Sequence, residues 1–199
     1  MELLIDGPAD SKITFAFAHG AGGPMRTAFM AKVAYGLGSR GIRVVRFEFP
    51  YMAAKRKAPD REPVLLDAWR EVVAELGGGA RVAIGGKSMG GRMASLVADE
   101  LEVRGLVCLG YPFHPPGNPE RLRTKHLAAL KTPTLIVQGT RDPFGGQDEV
   151  GKYALSSSIR IVWMPDGDHS FKPRVSSGTT EAENLVLAVE AVSGFLLSV

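Results

Sequence analysis

The sequence predicts an α/β fold with a mainly parallel central sheet of about six to seven strands and helices on both faces. Three observations carry this reading. Short apolar runs alternate with longer helical stretches along the chain. The apolar runs are mostly continuous rather than alternating, as in strands buried on both faces. Reactive or glycine-rich segments follow the carboxyl ends of several of these runs, where ligand sites of such sheets lie. With 199 residues, the chain is expected to form a single domain over 1–199, below the size at which one core usually divides.

The strand candidates are Ile13–Ala18, Arg43–Phe47, Arg81–Ile84, Gly105–Leu109, Thr134–Gln138 and Arg160–Met164. A helix is expected over Met25–Ser39, with Gly36 and Gly38 near its end. In Pro63–Leu76, Leu65, Trp69, Val72 and Leu76 share one face, and Gly77-Gly78-Gly79 stops the helix. Met89–Leu101 reads as a third helix. Asn184–Val199 places Leu185, Val189, Val192, Leu196 and Val199 at helical spacing, with Thr180 and Glu183 at capping-box spacing ahead of it. Right-handed crossovers are expected between the parallel strands.

Composition limits the function classes. A net charge of +3 is too small a basic excess to argue for nucleic-acid binding. The single cysteine, Cys108, lies in an apolar run and reads as a small core residue with no disulfide partner. The first residues carry no basic, apolar leader, and no run approaches the length of a membrane span. A cytoplasmic location with no membrane partner is the expectation. His19, His114, His126 and His169 are scattered without ligand spacing, so neither a metal nor a cofactor is expected.

Chemistry concentrates at four strand ends. Gly86-Lys87-Ser88-Met89-Gly90 falls between a strand and a helix, the setting of a serine held out on a tight turn. Side chains at Gly86 or Gly90 would collide with neighbouring backbone there. A phosphate-binding reading of Gly-Lys-Ser fails on spacing, since it needs glycine at position 81, which is Arg81. His19-Gly20-Ala21-Gly22-Gly23 follows the first long strand, Gly139-Thr140-Arg141-Asp142 follows the fifth, and Asp166-Gly167-Asp168-His169 follows the sixth. A serine hydroxyl needs a base within hydrogen-bond reach. His169 is the candidate base and Asp142 the group that orients it. Asp168 is the rival acid, but a carboxylate adjacent in sequence rarely reaches the far nitrogen of its neighbour. Asp166 shares that difficulty, and Asp148 falls in a helix after the Asp142 turn. The oxyanion donors are expected from the N–H of Met89 and of Ala21, with Gly22 as the alternative. His19 reads as structural rather than catalytic.

The motifs HGAGG at 19–23, GGKSMGG at 85–91, GTRDPFG at 139–145 and GDHSF at 167–171 resemble the α/β-hydrolase superfamily over nearly the whole chain. Within it the chain is similar to the small, lidless, dienelactone-hydrolase-like group. That group's namesakes use a cysteine nucleophile, whereas position 88 is serine. Phe49-Pro50-Tyr51-Met52 and Tyr111-Pro112-Phe113-His114-Pro115-Pro116-Gly117 look like the hydrolase-like domain of non-specific lethal complex subunit three and testis-expressed protein thirty. The resemblance implies an α/β-hydrolase fold and esterase, lactonase or thioesterase activity on a small-molecule ester through a Ser88–His169–Asp142 triad. The alternative is a non-catalytic interaction module on the same fold. Only Gly110 to Lys131 is available where relatives insert a cap, and its four prolines imply a stiff loop with one helix and no large lid. Gly22, Tyr51, Met52, Phe113, His114, Phe144 and Phe171 lie beyond strand ends and are candidates for the pocket wall. Lys55-Arg56-Lys57, with Arg61, reads first as a solvated loop and second as a site that steers acidic substrates. Nothing in the sequence fixes the oligomeric state.

Overall fold

The computed structural model describes residues 1–199. Seven strands form one sheet: β1 (Leu3–Asp6), β2 (Thr14–Ala18), β3 (Arg43–Phe47), β4 (Val82–Lys87), β5 (Gly105–Leu109), β6 (Thr134–Gly139) and β7 (Ile159–Met164). They lie in the order β1-β3-β2-β4-β5-β6-β7. Only β1 runs antiparallel to its neighbour; the other pairs are parallel.

The continuous apolar runs have a direct cause. Along β2, Phe15 and Phe17 enter one core cluster, and Ala16 and Ala18 enter the other. Successive side chains of a strand point to opposite faces, so a sheet covered on both faces needs apolar residues at every position. Helices α1 (Ala28–Gly38) and α6 (Glu181–Leu196) cover the Phe15/Phe17 face with Met30, Leu37 and Val192. Helices α3 (Glu62–Glu75) and α4 (Met89–Val97) cover the other with Trp69, Val72 and Met93. Trp69 is fully buried and meets the Phe47 ring edge-on at 4.8 Å. Two one-turn helices, α2 (Pro50–Ala53) and α5 (Gln147–Val150), follow β3 and β6. No helix is long and apolar enough to cross a membrane.

The six predicted strands and the four helices predicted with bounds are present with shifted ends. The Thr180–Glu183 capping box opens α6: the Glu183 N–H donates to Thr180 Oγ1 at 3.2 Å, and Glu183 Oε2 accepts from the Thr180 N–H at 2.7 Å. The helix begins there at Glu181 and not at Asn184. Residues Gly85-Gly86-Lys87 extend β4 beyond Ile84 because they pair with Val107, Cys108 and Leu109 of β5, which overrides the low strand propensity of glycine. Strand β1 is an addition to the predicted set. It is a half-exposed edge strand of four residues, too short for its pattern to stand out. The predicted helix in the 110–131 segment is absent: the segment holds one short 3-10 turn at Leu127–Ala129.

Candidate active site

The turn between β4 and α4 positions Ser88. Its backbone has φ 50° and ψ −116°, a conformation that non-glycine residues rarely adopt. The flanking glycines are required by contact. A Cβ at Gly86 would lie 2.6 Å from the Ala18 carbonyl oxygen, and one at Gly90 would lie 2.5 Å from the His19 carbonyl oxygen. Two bonds hold the strained residue: its N–H donates to the Leu109 carbonyl at 3.0 Å, and its carbonyl accepts from the Arg92 N–H at 3.0 Å. As first residue of α4, Met89 has no intrahelical acceptor for its N–H.

Ser88, His169 and Asp142 meet across three strand ends. His169 Nε2 is 2.9 Å from Ser88 Oγ, and His169 Nδ1 is 2.8 Å from Asp142 Oδ2. Protonation at Nδ1 lets the ring donate to the carboxylate and accept the serine proton, the arrangement a general base requires. Asp142 is buried. Its Oδ2 also accepts from Gln138 Nε2 at 3.0 Å, and its Oδ1 accepts from the Phe144 N–H at 2.9 Å. The Phe144 ring lies 4.2 Å from the imidazole.

The rival carboxylates are engaged elsewhere. Asp166 binds Arg174 and Arg141, and its hydrogen bonds to Arg174 hold its carboxyl below the usual range. Asp168 Oδ1 accepts the N–H groups of Ser170 and Lys172, which shapes the loop that carries His169. Asp148 sits exposed on α5.

His19 anchors the glycine loop. Its Nδ1 lies 2.7 Å from the Gly20 carbonyl oxygen, and its Nε2 accepts from the Phe49 N–H at 3.1 Å. Burial lowers its pKa, which suits a neutral ring with one donor and one acceptor. A peptide group is planar, so holding the Gly20 carbonyl also aims the Ala21 N–H. The Tyr51 hydroxyl donates to the Ala21 carbonyl at 3.1 Å and orients the Gly22 N–H in the same way. Neither N–H donates to another protein group.

A cavity of about 420 Å³ opens over Ser88 and His169. Gly22 and Phe144 line it, together with Ala21. The other aromatic candidates are corrected. Tyr51, Phe113 and Phe171 are fully buried, and His114 is nearly so. None of them lines this cavity: Tyr51 packs against His19, Phe113 against Tyr111, Phe171 against Phe29, and His114 bonds Glu149 and the Pro115 carbonyl. Met52 lines a neighbouring cavity of about 500 Å³ with Lys55, Arg56 and Lys57. This second cavity shares Ala21, Gly22 and Gly23 with the first.

Sequence reasoning did not single out Gln138, Phe29 or, as a pocket residue, Lys87. Lys87 and Phe29 line the cavity. Gln138 is wholly buried, and a polar residue closing an apolar strand four positions before Asp142 is the signal that identifies it. A second serine–histidine contact joins Ser95 Oγ of α4 to His126 Nε2 at 2.8 Å. It lacks an acid: Asp99 accepts from Thr132 and the Lys131 N–H, and the Ser95 hydroxyl donates to the Arg92 carbonyl.

Residues 11–197 match the family model described as an alpha/beta hydrolase domain. The chain belongs to that family. Solved hydrolase-fold structures agree in architecture. The chain is similar to a lidless α/β serine hydrolase from Xanthomonas campestris, with TM-score 0.73, 21% identity, and coverage of 98% of this chain and 88% of that one. It is similar to the dienelactone hydrolase from Anabaena variabilis, with TM-score 0.74, 21% identity, and coverage of 98% and 90%. Est1E from Butyrivibrio proteoclasticus, solved with ferulic acid bound, matches with TM-score 0.74, 18% identity, and coverage of 99% and 94%. At these identities the likeness speaks for the α/β-hydrolase fold.

Proposed function

We propose that residues 1–199 act as one serine-hydrolase domain that cleaves a small carboxylic ester, lactone or thioester through an acyl-enzyme. The observation that carries this reading is the unbroken hydrogen-bond chain Asp142–His169–Ser88 facing an open cavity. Ser88 Oγ attacks the carbonyl carbon while His169 Nε2 takes its proton. The N–H groups of Met89 and Ala21, with Gly22 beside them, receive the developing oxyanion, and such a donor is worth about 3 kcal/mol. The tetrahedral intermediate collapses, the C–O or C–S bond breaks, and His169 returns the proton to the leaving group. Water then attacks the acyl-enzyme with His169 again as base, which releases the acid and restores Ser88. Asp142 stabilises the imidazolium in both steps.

Ferulic acid bound to Est1E, a protein of similar fold, supports a small carboxylic acid as the acyl part. A cytoplasmic setting suits the single buried thiol. At branch level, we infer a likeness to the hydrolase-like domain of non-specific lethal complex subunit three and testis-expressed protein thirty from segments 49–52 and 111–117 alone.

Labelling with a fluorophosphonate tests the reading. Wild-type protein is expected to label, and Ser88→Ala and His169→Ala to lose labelling. Folded wild-type protein that does not label would overturn it in favour of a non-catalytic interaction module.

A further inference from the structure

Lys87 stands immediately before the candidate nucleophile, yet the triad chemistry gives it no task. It closes β4 and lines the same cavity as Ser88. Its ammonium donates to the His169 carbonyl at 2.6 Å and lies 5.6 Å from the centre of the Phe29 ring, another part of the cavity wall. It forms no ion pair. A lysine ammonium has three donors, and one is used.

The surroundings make room for this charge without neutralising it. Gly110, at φ 67°, faces it: a Cβ there would lie 2.9 Å from Lys87 Nζ and 2.9 Å from the His169 carbonyl oxygen. Burial lowers the lysine pKa to about 8, against the longer-range pull of Asp142 and Asp168. A partly desolvated cation without a counter-ion is costly unless a ligand supplies one. Catalysis adds to the need. When His169 takes the serine proton it becomes cationic, and Lys87 beside it then opposes that charge. An anion on the substrate offsets both.

We infer that Lys87 is an anion subsite, and that the substrate is an ester whose acyl part ends in a carboxylate, such as the half-ester of a short dicarboxylic acid. The inference deepens the hydrolase reading and rests on it for turnover. The carboxylate accepts from Lys87 Nζ while the ester carbonyl sits at Ser88 Oγ. Thr27 and Ser170, both on the cavity wall, supply hydroxyls for the remaining lone pairs. Lys87 is thereby a specificity-determining residue, since a charged group left without its partner in a partly desolvated site is penalised.

The test pairs monomethyl succinate with methyl succinamate, its neutral amide analogue. In the Ser88→Ala protein, calorimetry is expected to show the carboxylate ligand binding roughly tenfold tighter, as a charge-assisted bond outweighs a neutral one. Adding Lys87→Gln is expected to erase that ratio, and Lys87→Arg to retain most of it. In the Ser88 enzyme the ratio of kcat/KM for the two esters follows the same order. Equal binding of the two ligands to the Ser88→Ala protein, or an equal loss for both on Lys87→Gln, overturns the subsite and leaves Lys87 as a tether for the His169 loop. Should Lys87→Gln fail to fold, the two-ligand comparison in the Ser88→Ala protein and in its Lys87→Arg derivative still decides. Failure of fluorophosphonate labelling strikes the hydrolase reading separately, because the binding ratio needs no turnover.

Discussion

Asp142 keeps its carboxylate aimed at His169 because Gln138 and the Phe144 amide occupy its other lone pairs. Gln138 also bonds the Tyr111 backbone in both directions, with its Oε1 accepting from the Tyr111 N–H at 2.7 Å and its Nε2 donating to the Tyr111 carbonyl at 3.1 Å. Gln138→Leu leaves these buried groups unpaired. It is expected to cost about 1–3 kcal/mol of stability, read from urea unfolding, and to lower kcat more than it raises KM. Lys87 supplies a pH signature. In the unfolded chain a lysine holds its proton up to 10.5, while in the fold Lys87 releases it near 8. Between those values the unfolded state binds the additional proton, so this residue's contribution to stability rises with pH across that window. Below pH 8 both states are charged and the full penalty applies. Wild type is therefore expected to gain Tm relative to Lys87→Met between pH 8 and 10.5, by an amount reduced through the residue's partial contact with solvent. The catalytic candidates were legible as residues because order and strand-end placement constrain them. Gln138 and Lys87 were not, since their roles depend on which atoms the fold brings alongside them.

The β4–Ser88–α4 element turns sequence spacing into geometry. Both flanking glycines face backbone, not flexible side chains, so a methyl group cannot be absorbed by a rotamer change. Gly90→Ala is expected to destabilise by about 1–3 kcal/mol, the range for overpacking, and to suppress fluorophosphonate labelling in the fraction that folds. Thermal melts and labelling on the same sample check both. This element was readable because steric demands on glycine are local. The aromatic candidates show the converse. Tyr51, Phe113 and Phe171 lie beyond strand ends as their spacing requires, but residue order does not say whether a loop side chain turns up to the cavity or down to the core. Tyr51 shows both tendencies, with a ring in the core and a hydroxyl that reaches Ala21.

Across the whole molecule, the parallel sheet and its two helical layers follow from apolar continuity, which long-range pairing reinforces. Strand β1 escaped because an antiparallel edge strand with one open side leaves a weak pattern. Charge is distributed unevenly at this scale. Lys55, Arg56 and Lys57 border a cavity that meets the Ser88 cavity along Ala21–Gly23. Arg56 is paired with Asp60 at 2.7 Å, and the two lysines form no ion pair, with Glu48 on the same cavity wall. Replacing all three with Ala is expected to slow kcat/KM for an anionic ester at low salt, to leave a neutral ester unaffected, and to lose this effect in high salt as screening removes the field. Unchanged rates on both esters would mark the segment as an ordinary solvated loop.

The carbonyls of Gly20 and Ala21 are tied down by His19 and Tyr51 in the protein without any ligand. The entropy of ordering that loop is therefore lost once, when the chain folds, and not again at each encounter. A boronic acid that mimics the tetrahedral intermediate would meet a receptor already in its bound shape. Its association would be governed by collision and desolvation, with no slow tightening phase to follow.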